Sequence, residues 1–459
     1  MKYYAKMKRG RGIKEEIPMK VENRSIFISL LSNLFHYYAF SVYAFSAVIL
    51  APIFFPTEDG ELTKILGLVT FSITFLLKPL GSIVFGHIGD KYGRKMALTQ
   101  SLVVITIATT CIGLIPSYAQ IGWLSSCFLL LCLLVQGLCI GGQYTGAIVY
   151  IQEHTKKENA AFACGVVGAL GVFGTLLGTA TSYLFDYFGA LAGWEWRIPF
   201  LLTSIMGFSL YLLMRTMHET PSFIETTSHT QKKDLPLMSI IRNYKKILFS
   251  AVCISSISIS MFYLATVYVP NFYIDPNGTD NVLSSLGVVC LAQLLCVVLM
   301  PLLGIMSDRL GREKQLKLTS TLLIITPLFM FYFMTVSNAF FVVVIGVILF
   351  SCYASLYAGP GPAYLSEKFP VVGRYSGMGL GITIGEGIFG GLTPIVCVGF
   401  QQFFNSKIAP AYFIIFLGAL SLMGIILARK GSLSEEEQER GEDEKNPPYS
   451  YTKGNYSLT

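Results

Sequence analysis

Gly86-His87-Ile88-Gly89-Asp90-Lys91-Tyr92-Gly93-Arg94-Lys95 and Gly304-Ile305-Met306-Ser307-Asp308-Arg309-Leu310-Gly311-Arg312-Glu313 are two versions of one short charged segment. Each follows an apolar stretch of helical length and precedes another. In both, a glycine stands four residues before an aspartate, and a Gly-Arg pair closes the run. A repeat of this kind, set half a chain apart, predicts two homologous membrane bundles. It turns the functional question from which enzyme to which cargo.

Composition points the same way. Hydrophobic residues make up 53% of the 459-residue chain, and Asp, Glu, Lys and Arg only 13%, against about 25% charged in soluble domains. A chain this apolar has lipid for its solvent, so backbone polar groups must be satisfied within each segment. No alternating strand pattern occurs, which leaves helices. The net charge of +7 does not point to nucleic acid, because the basic residues sit in short loops between apolar runs. The ten cysteines fall almost entirely within those runs, without metal-ligand spacing to histidine, and read as small buried hydrophobes.

Twelve spans are expected, centred in Ile26–Phe55, Leu62–Phe85, Met96–Ile115, Ile121–Ile151, Ala160–Phe185, Ile198–Met214, Ile247–Tyr273, Val282–Met306, Leu316–Met334, Phe340–Tyr364, Gly377–Phe404 and Ala411–Ala428. The predicted fold is an all-α membrane protein of twelve transmembrane helices in two pseudo-symmetric six-helix bundles. The bundles occupy 26–216 and 247–429. A cytoplasmic N-terminal segment (1–25), a central cytoplasmic loop (217–246) and a solvated, disordered tail (430–459) complete the chain. The tail is acidic from Glu435 to Glu444 and carries Pro447 and Pro448, with no apolar pattern for a coiled coil.

Loop charge sets the expected orientation. Lys2, Lys6, Lys8, Arg9, Arg11, Lys14, Lys20 and Arg24 precede the first span, and Lys91, Arg94, Lys95, Lys156, Lys157, Lys232, Lys233, Arg309, Arg312, Lys314 and Lys317 follow on the same side. The other side offers only Lys64, Arg197 and Lys407. Both termini are therefore expected in the cytoplasm, with the chain in a cytoplasmic (inner) membrane. The first apolar run is too long for a signal-peptide core.

The repeated loop suggests a latch. Gly86 and Gly304 let a neighbouring helix approach, and Asp90 and Asp308 can accept hydrogen bonds from the N-terminus of an apposed helix. Gly93 and Gly311 suit a tight turn, Arg94 and Arg312 can pair with the aspartates or with lipid, and Lys91, Lys95 and Arg309 add charge.

The pattern G-x-x-x-D-(R/K)-x-G-R-(R/K) resembles the signature loop of the major facilitator superfamily. Lys78-Pro79-Leu80-Gly81, Gln136-Gly137 through Gly146-Ala147, Trp196-Arg197-Ile198-Pro199-Phe200, Glu219-Thr220-Pro221, Arg374-Tyr375-Ser376 and Gly391-Leu392-Thr393-Pro394 resemble its metabolite:proton symporters. They are most similar to the osmoprotectant proline/betaine transporters. The resemblance implies alternating access, import of a small polar metabolite (a zwitterion such as proline or betaine, or an organic acid) and drive from a proton gradient.

Departures from that family qualify the coupling. Its first span usually carries two acids where this chain has His36 and Ala39, a common glutamate in the fourth span is Gln143, and a usual arginine is Lys78. Ionisable groups inside spans are functional candidates by default. Glu386 is the clearest remaining mid-membrane carboxylate, with Lys78 as its expected partner, and His36, of reference pKa about 6.5, can exchange a proton. Tyr37, Tyr38, Tyr43, Tyr144, Tyr263 and Tyr268 are candidates to line a cavity and to cage a quaternary ammonium. Gly359-Pro360-Gly361-Pro362 interrupts the tenth span, and the series Gly165, Gly168, Gly171, Gly174 and Gly178 marks the fifth as a close-packing helix. No phosphate-binding loop, nucleophile elbow or metal cluster occurs, so no enzyme and no cofactor are expected. The expected partners are a small-molecule substrate and the bilayer. Nothing in the sequence specifies an oligomer. The alternatives are an uncoupled facilitator or exchanger, and a non-transporting receptor.

Overall fold

The computed structural model describes residues 19–58, 60–187, 195–229, 236–273, 282–337, 340–371 and 373–445. The basic residues up to Lys14, the Lys232–Lys233 pair and Pro447–Pro448 lie outside the described residues. The described chain is helical nearly throughout. The first half comprises α1 (Met19–Phe54), α2 (Gly60–Tyr92), α3 (Arg94–Leu114), α4 (Trp123–Gln152), α5 (Ala160–Tyr187) and α6 (Ile198–Met214).

The second half repeats the series. α7 (Lys245–Tyr263) continues through a π-helical turn (Leu264–Tyr268) into Val269–Tyr273, and is followed by α8 (Val282–Leu310) and α9 (Arg312–Ser337). α10 (Phe340–Ala358) resumes as Pro360–Ser366 after the Gly359 break. α11 (Arg374–Gly385) passes through a second π-helical turn (Glu386–Gly390) into Thr393–Phe403, and α12 is Pro410–Lys445. Two short helices, Pro221–His229 and Pro236–Asn243, lie in the connection between the halves.

Among the described residues ten helices are long and apolar enough to cross a membrane, and α6 is a shorter apolar one. α2 completes twelve. It is 33 residues long but is interrupted by Lys78 and Pro79. Large apolar side chains such as Leu131, Phe208, Phe329 and Phe341 are exposed around the outside, as a hydrocarbon surround requires. Many serines and threonines inside the helices donate back to the carbonyl one turn earlier, as Ser250 does to Lys246 and Ser260 to Ser256, which satisfies those hydroxyls without water. The last helix continues beyond Lys430 as far as Lys445.

The repeat is visible in the packing. Within the first half α2 packs on α4 and α1 on α5, while α8 on α10 and α7 on α11 do the same in the second. Across the halves α2 meets α11, and α8 meets α5. Shifting each helix of one contact by six gives the other, which is a two-fold relation between the bundles.

Candidate functional site

Both copies of the repeated segment lie at one end of the molecule, and each joins its half to the other. Asp90, at the end of α2, accepts from the backbone N–H groups of Tyr375 (3.3 Å) and Ser376 (2.9 Å) and from the Ser376 hydroxyl (2.7 Å). Those donors belong to the first turn of α11. Asp308, at the end of α8, accepts from the N–H groups of Ala161 (3.0 Å) and Phe162 (2.9 Å), in the first turn of α5. A helix N-terminus leaves these N–H groups without intrahelical partners and carries partial positive charge. Each aspartate thus holds the start of a helix from the other half.

The glycines have the roles their spacing implied. A Cβ on Gly86 would lie 2.8 Å from Ser376 Cα, and one on Gly304 2.6 Å from the Ala161 carbonyl oxygen. Gly93 and Gly311 turn the chain at φ of 112° and 94°, a region that strains any other residue. Arg94 and Arg312 reach back to their aspartates at 3.5 and 3.0 Å. Each also pairs with a glutamate at the end of another helix, Arg94 with Glu153 at 3.0 Å and Arg312 with Glu367. Neither glutamate was picked out from sequence, although the repeat pointed to them, since they close α4 and α10. Lys91 is exposed, over its own neighbour Tyr92 at 5.2 Å, and Arg309 is exposed. Lys95 instead ties α3 to the end of α6, donating to the carbonyls of Arg215 and Met217.

The two latches differ in one respect. Tyr375 inserts from α11 into the first half, fully buried, and donates from its hydroxyl to the Gly142 carbonyl at 2.8 Å. Its socket is made by glycines: a Cβ on Gly89 or on Gly146 would come within 2.1 Å of the ring or hydroxyl. The matching position in the other latch is Ala161, which inserts nothing.

Beyond the latches, a cavity of about 530 Å³ lies between the halves, a size ordinary for small ligands. It reaches Val69, Pro270 and Ile395, toward the ends of α2, α7 and α11 far from the latches. Two charges face it from opposite halves. Lys78 Nζ on α2 stands 3.8 Å from Glu386 Oε2 on α11, with the side chains only 4% and 12% exposed. At that distance the attraction is coulombic, without a direct hydrogen bond.

Lys78 is held in place by close packing of α2 on α4. A Cβ on Gly141 would lie 2.0 Å from the Lys78 carbonyl oxygen, and one on Gly137 2.3 Å from that of Thr74, a small-xxx-small contact. Glu386 begins the π-helical turn of α11. Thr266 and Val267 sit in the π-helical turn of α7 and also line the cavity. Such turns often mark functional sites. Around the pair the wall carries aromatic rings, among aliphatic residues and a few hydroxyls such as Ser41 and Thr175. Lys78 Nζ stands 4.4 Å over the Phe75 ring, which meets Phe40 at 5.9 Å and Tyr263 at 5.8 Å, edge to face. Tyr37 and Tyr144 meet at 6.2 Å.

Of the expected cavity residues, Tyr37, Lys78, Tyr144, Tyr263 and Glu386 are therefore together. Tyr38, Tyr43 and Tyr268 are not. Tyr38 and Tyr43 are buried on the Trp196 side of the first half, and Tyr268 donates to Gln401 at 2.9 Å. His36 and Gln143 also stand off the cavity. His36 Nδ1 donates to the Ser32 carbonyl (2.8 Å), Ser101 Oγ lies 3.2 Å from His36 Nε2 and 2.7 Å from Gln143 Oε1, and Gln143 donates to the Ser32 hydroxyl (3.0 Å). This closed ring of partners ties α1, α3 and α4 together. Phe40 and Phe75 were missed from sequence because apolar aromatics in a span carry no signal for which face they take.

Residues 29–394 match the sequence profile of the Major Facilitator Superfamily. The chain belongs to that superfamily. It is 31% identical over 429 residues to a putative proline/betaine transporter of Staphylococcus aureus (strain COL), covering 90% of each chain. It is 28% identical over 412 residues to the proline/betaine transporter of Escherichia coli (strain K12), covering 87% of this chain and 82% of that one. Among solved structures, the major facilitator proton:xylose symporter XylE bound to 6-bromo-6-deoxy-D-glucose aligns with a TM-score of 0.66 at 13% identity, over 90% of this chain and 96% of that one. FucP in its outward conformation aligns at 0.60 and 14%, over 89% and 99%. At such identities these two establish the shared fold. This superfamily member is an integral membrane protein, and its relatives are transporters rather than enzymes.

Proposed function

We propose that this chain imports a small zwitterion of the proline or betaine type across a bacterial cytoplasmic membrane by alternating access, with a proton on Glu386 coupled to the cycle. The observation that carries this reading is the Lys78–Glu386 pair, one charge of each sign facing a largely aromatic and apolar cavity. A zwitterion brings the same two charges. With Glu386 protonated, Lys78 loses its anion and is free to take the substrate carboxylate, while the ammonium group lies against the rings of Tyr37, Tyr144 and Tyr263. Proton and substrate then favour each other's binding, as coupled import requires. The names of the Staphylococcus aureus and Escherichia coli relatives support the same class of cargo.

The basic residues of the latch end, including Lys91, Lys95, Lys156, Lys157, Lys314 and Lys317, support a cytoplasmic location for that end and for both termini. The cavity then faces outward with the cytoplasmic latches engaged.

The test is uptake of radiolabelled glycine betaine and L-proline by purified protein in proteoliposomes, with and without an imposed pH gradient. Accumulation only when the outside is acid is expected. Equilibration without accumulation in either condition makes the chain a facilitator, a reading the loss of carboxylates at His36, Ala39 and Gln143 would then explain. No flux of either solute overturns the proposed cargo.

A further inference from the structure

The Lys78 ammonium is met by a carboxylate from the other half and by a ring from its own. Glu386 reaches it from α11 at 3.8 Å, and the centroid of the Phe75 ring, one turn earlier on α2, lies 4.4 Å from Nζ. A ring face attracts a cation out to about 6 Å. The two contacts differ in what breaks them. Protonation of Glu386, or movement of one half against the other, takes the carboxylate charge away from Lys78. Phe75 stands three residues from the lysine on the same helix and stays beside it throughout.

Packing fixes the ring. Phe75 is buried and meets Phe40 of α1 at 5.9 Å and Tyr263 of α7 at 5.8 Å. α11 approaches it through glycines. A Cβ on Gly391 would lie 3.1 Å from Phe75 Cγ, and one on Gly387 3.2 Å from the Phe75 carbonyl oxygen. Contacts from three helices thus hold the ring against the lysine.

The fold itself does not call for this arrangement. The repeat sets Gly86 against Gly304 and Asp90 against Asp308, and the same register sets Phe75 against Gln293 and Lys78 against Cys296. On the apposed helices Tyr375 answers to Ala161, which sets Glu386 against Val172. The latch glycines and aspartates occur in both halves. The ring, the lysine and the glutamate occur at one of the two matching seams, the one that carries charge into the cavity.

We propose that Phe75 is a positioning residue for cargo binding: its ring holds the Lys78 ammonium in the cavity while Glu386 is protonated, ready for the carboxylate of the cargo. The inference rests on the proposed function and adds a determinant of specificity to it. A cargo with a carboxylate gains from Phe75 through Lys78. Choline, a quaternary ammonium without a carboxylate, meets the tyrosines alone and gains nothing from the ring.

Phe75→Leu removes the ring face, and Phe75→Tyr keeps it. In proteoliposomes KM for glycine betaine should rise about tenfold in Phe75→Leu, with the maximal rate within about twofold, and Phe75→Tyr should restore it. The choline concentration that half-inhibits uptake, with betaine well below its KM, should move by less than about twofold. Thermal midpoints test the ring–lysine contact without cargo. Phe75→Leu should lower the midpoint by about 2 °C more in Glu386→Gln protein than in wild type, because there the lysine has lost its anion. That excess should vanish when Lys78→Met is added. An unchanged KM overturns the role, as does an equal weakening of betaine and choline. A midpoint loss that is the same in all three backgrounds overturns the contact. Failure of wild type to carry betaine or proline overturns the proposed cargo, a separate result, and the thermal series then decides the contact.

Discussion

Lys78 and Glu386 come from opposite halves of an internally repeated fold, yet their charged atoms stand 3.8 Å apart in the cavity between those halves. Each is the other's nearest counter-charge. Removing one leaves the other buried and uncompensated, which costs on the order of 3–5 kcal/mol. Lys78→Met alone should therefore lower the thermal midpoint of the purified protein markedly. Lys78→Met with Glu386→Gln should recover most of that loss while still failing to accumulate betaine. A thermal-shift series in detergent checks both statements.

The latches make a different prediction. Asp90 is almost fully buried and accepts across the halves from two N–H groups and a hydroxyl, whereas Asp308, which also accepts from Arg312 of its own half, takes from the other half only two N–H groups of a more exposed helix start. Hydrogen bonds to charged groups are worth roughly 1.5–3 kcal/mol each. Asp90→Ala should open the latch end more than Asp308→Ala does. Spin-label distances between the α2–α3 and α8–α9 turns report the shift, and a larger effect from Asp308→Ala would contradict this ranking.

Glycine substitutions separate gating from stability. Gly89→Ala places a methyl group against the Tyr375 ring, a contact made across the halves. It should disfavour the closed latch without unfolding either bundle, seen as increased labelling of cysteines introduced near Ser376. Gly141→Ala drives a methyl group into the Lys78 carbonyl within one half, and should instead lower the thermal midpoint.

Glu219, in the connection after α6, accepts from the backbone N–H groups of Arg94, Lys95 and Thr220. Burial nevertheless pushes its carboxyl above the ordinary range, outweighing those donors and the nearby Arg94 charge. A proton is therefore held more tightly in the folded than in the unfolded chain. This group's contribution to stability is fully present below the unfolded value of about 4.3 and is lost as pH rises through the raised folded one. Thermal midpoints of wild type and Glu219→Gln from pH 4 to 7 should show a downward slope in wild type that is flatter in the variant.

Much of this was legible because the repeat sits in charged, turn-forming residues, where each residue type has few physical uses. A Gly, an Asp four residues on and a Gly-Arg after it leave little choice but close approach, an N-terminus acceptor and a turn. Glu386 and Lys78 were legible for a similar reason, since an ion inside a span needs a partner. His36 was less so: a histidine in a span looks alike whether it faces a cavity or closes a ring with Ser32, Ser101 and Gln143. Which tyrosines line the cavity depends on helix rotation, and aromatics suit both packing and binding. That is why Tyr43 and Tyr268 went to the packing while Phe75, unremarked in the sequence, stands under the lysine.

The central claim is that Glu386 carries the coupling proton beside Lys78. The most direct measurement is betaine uptake by Glu386→Gln protein in proteoliposomes across a pH series, beside wild type. The account predicts that the variant still exchanges betaine but loses gradient-driven accumulation and any dependence on pH. Uptake with unchanged rate and unchanged pH dependence would contradict it and remove Glu386 from the mechanism.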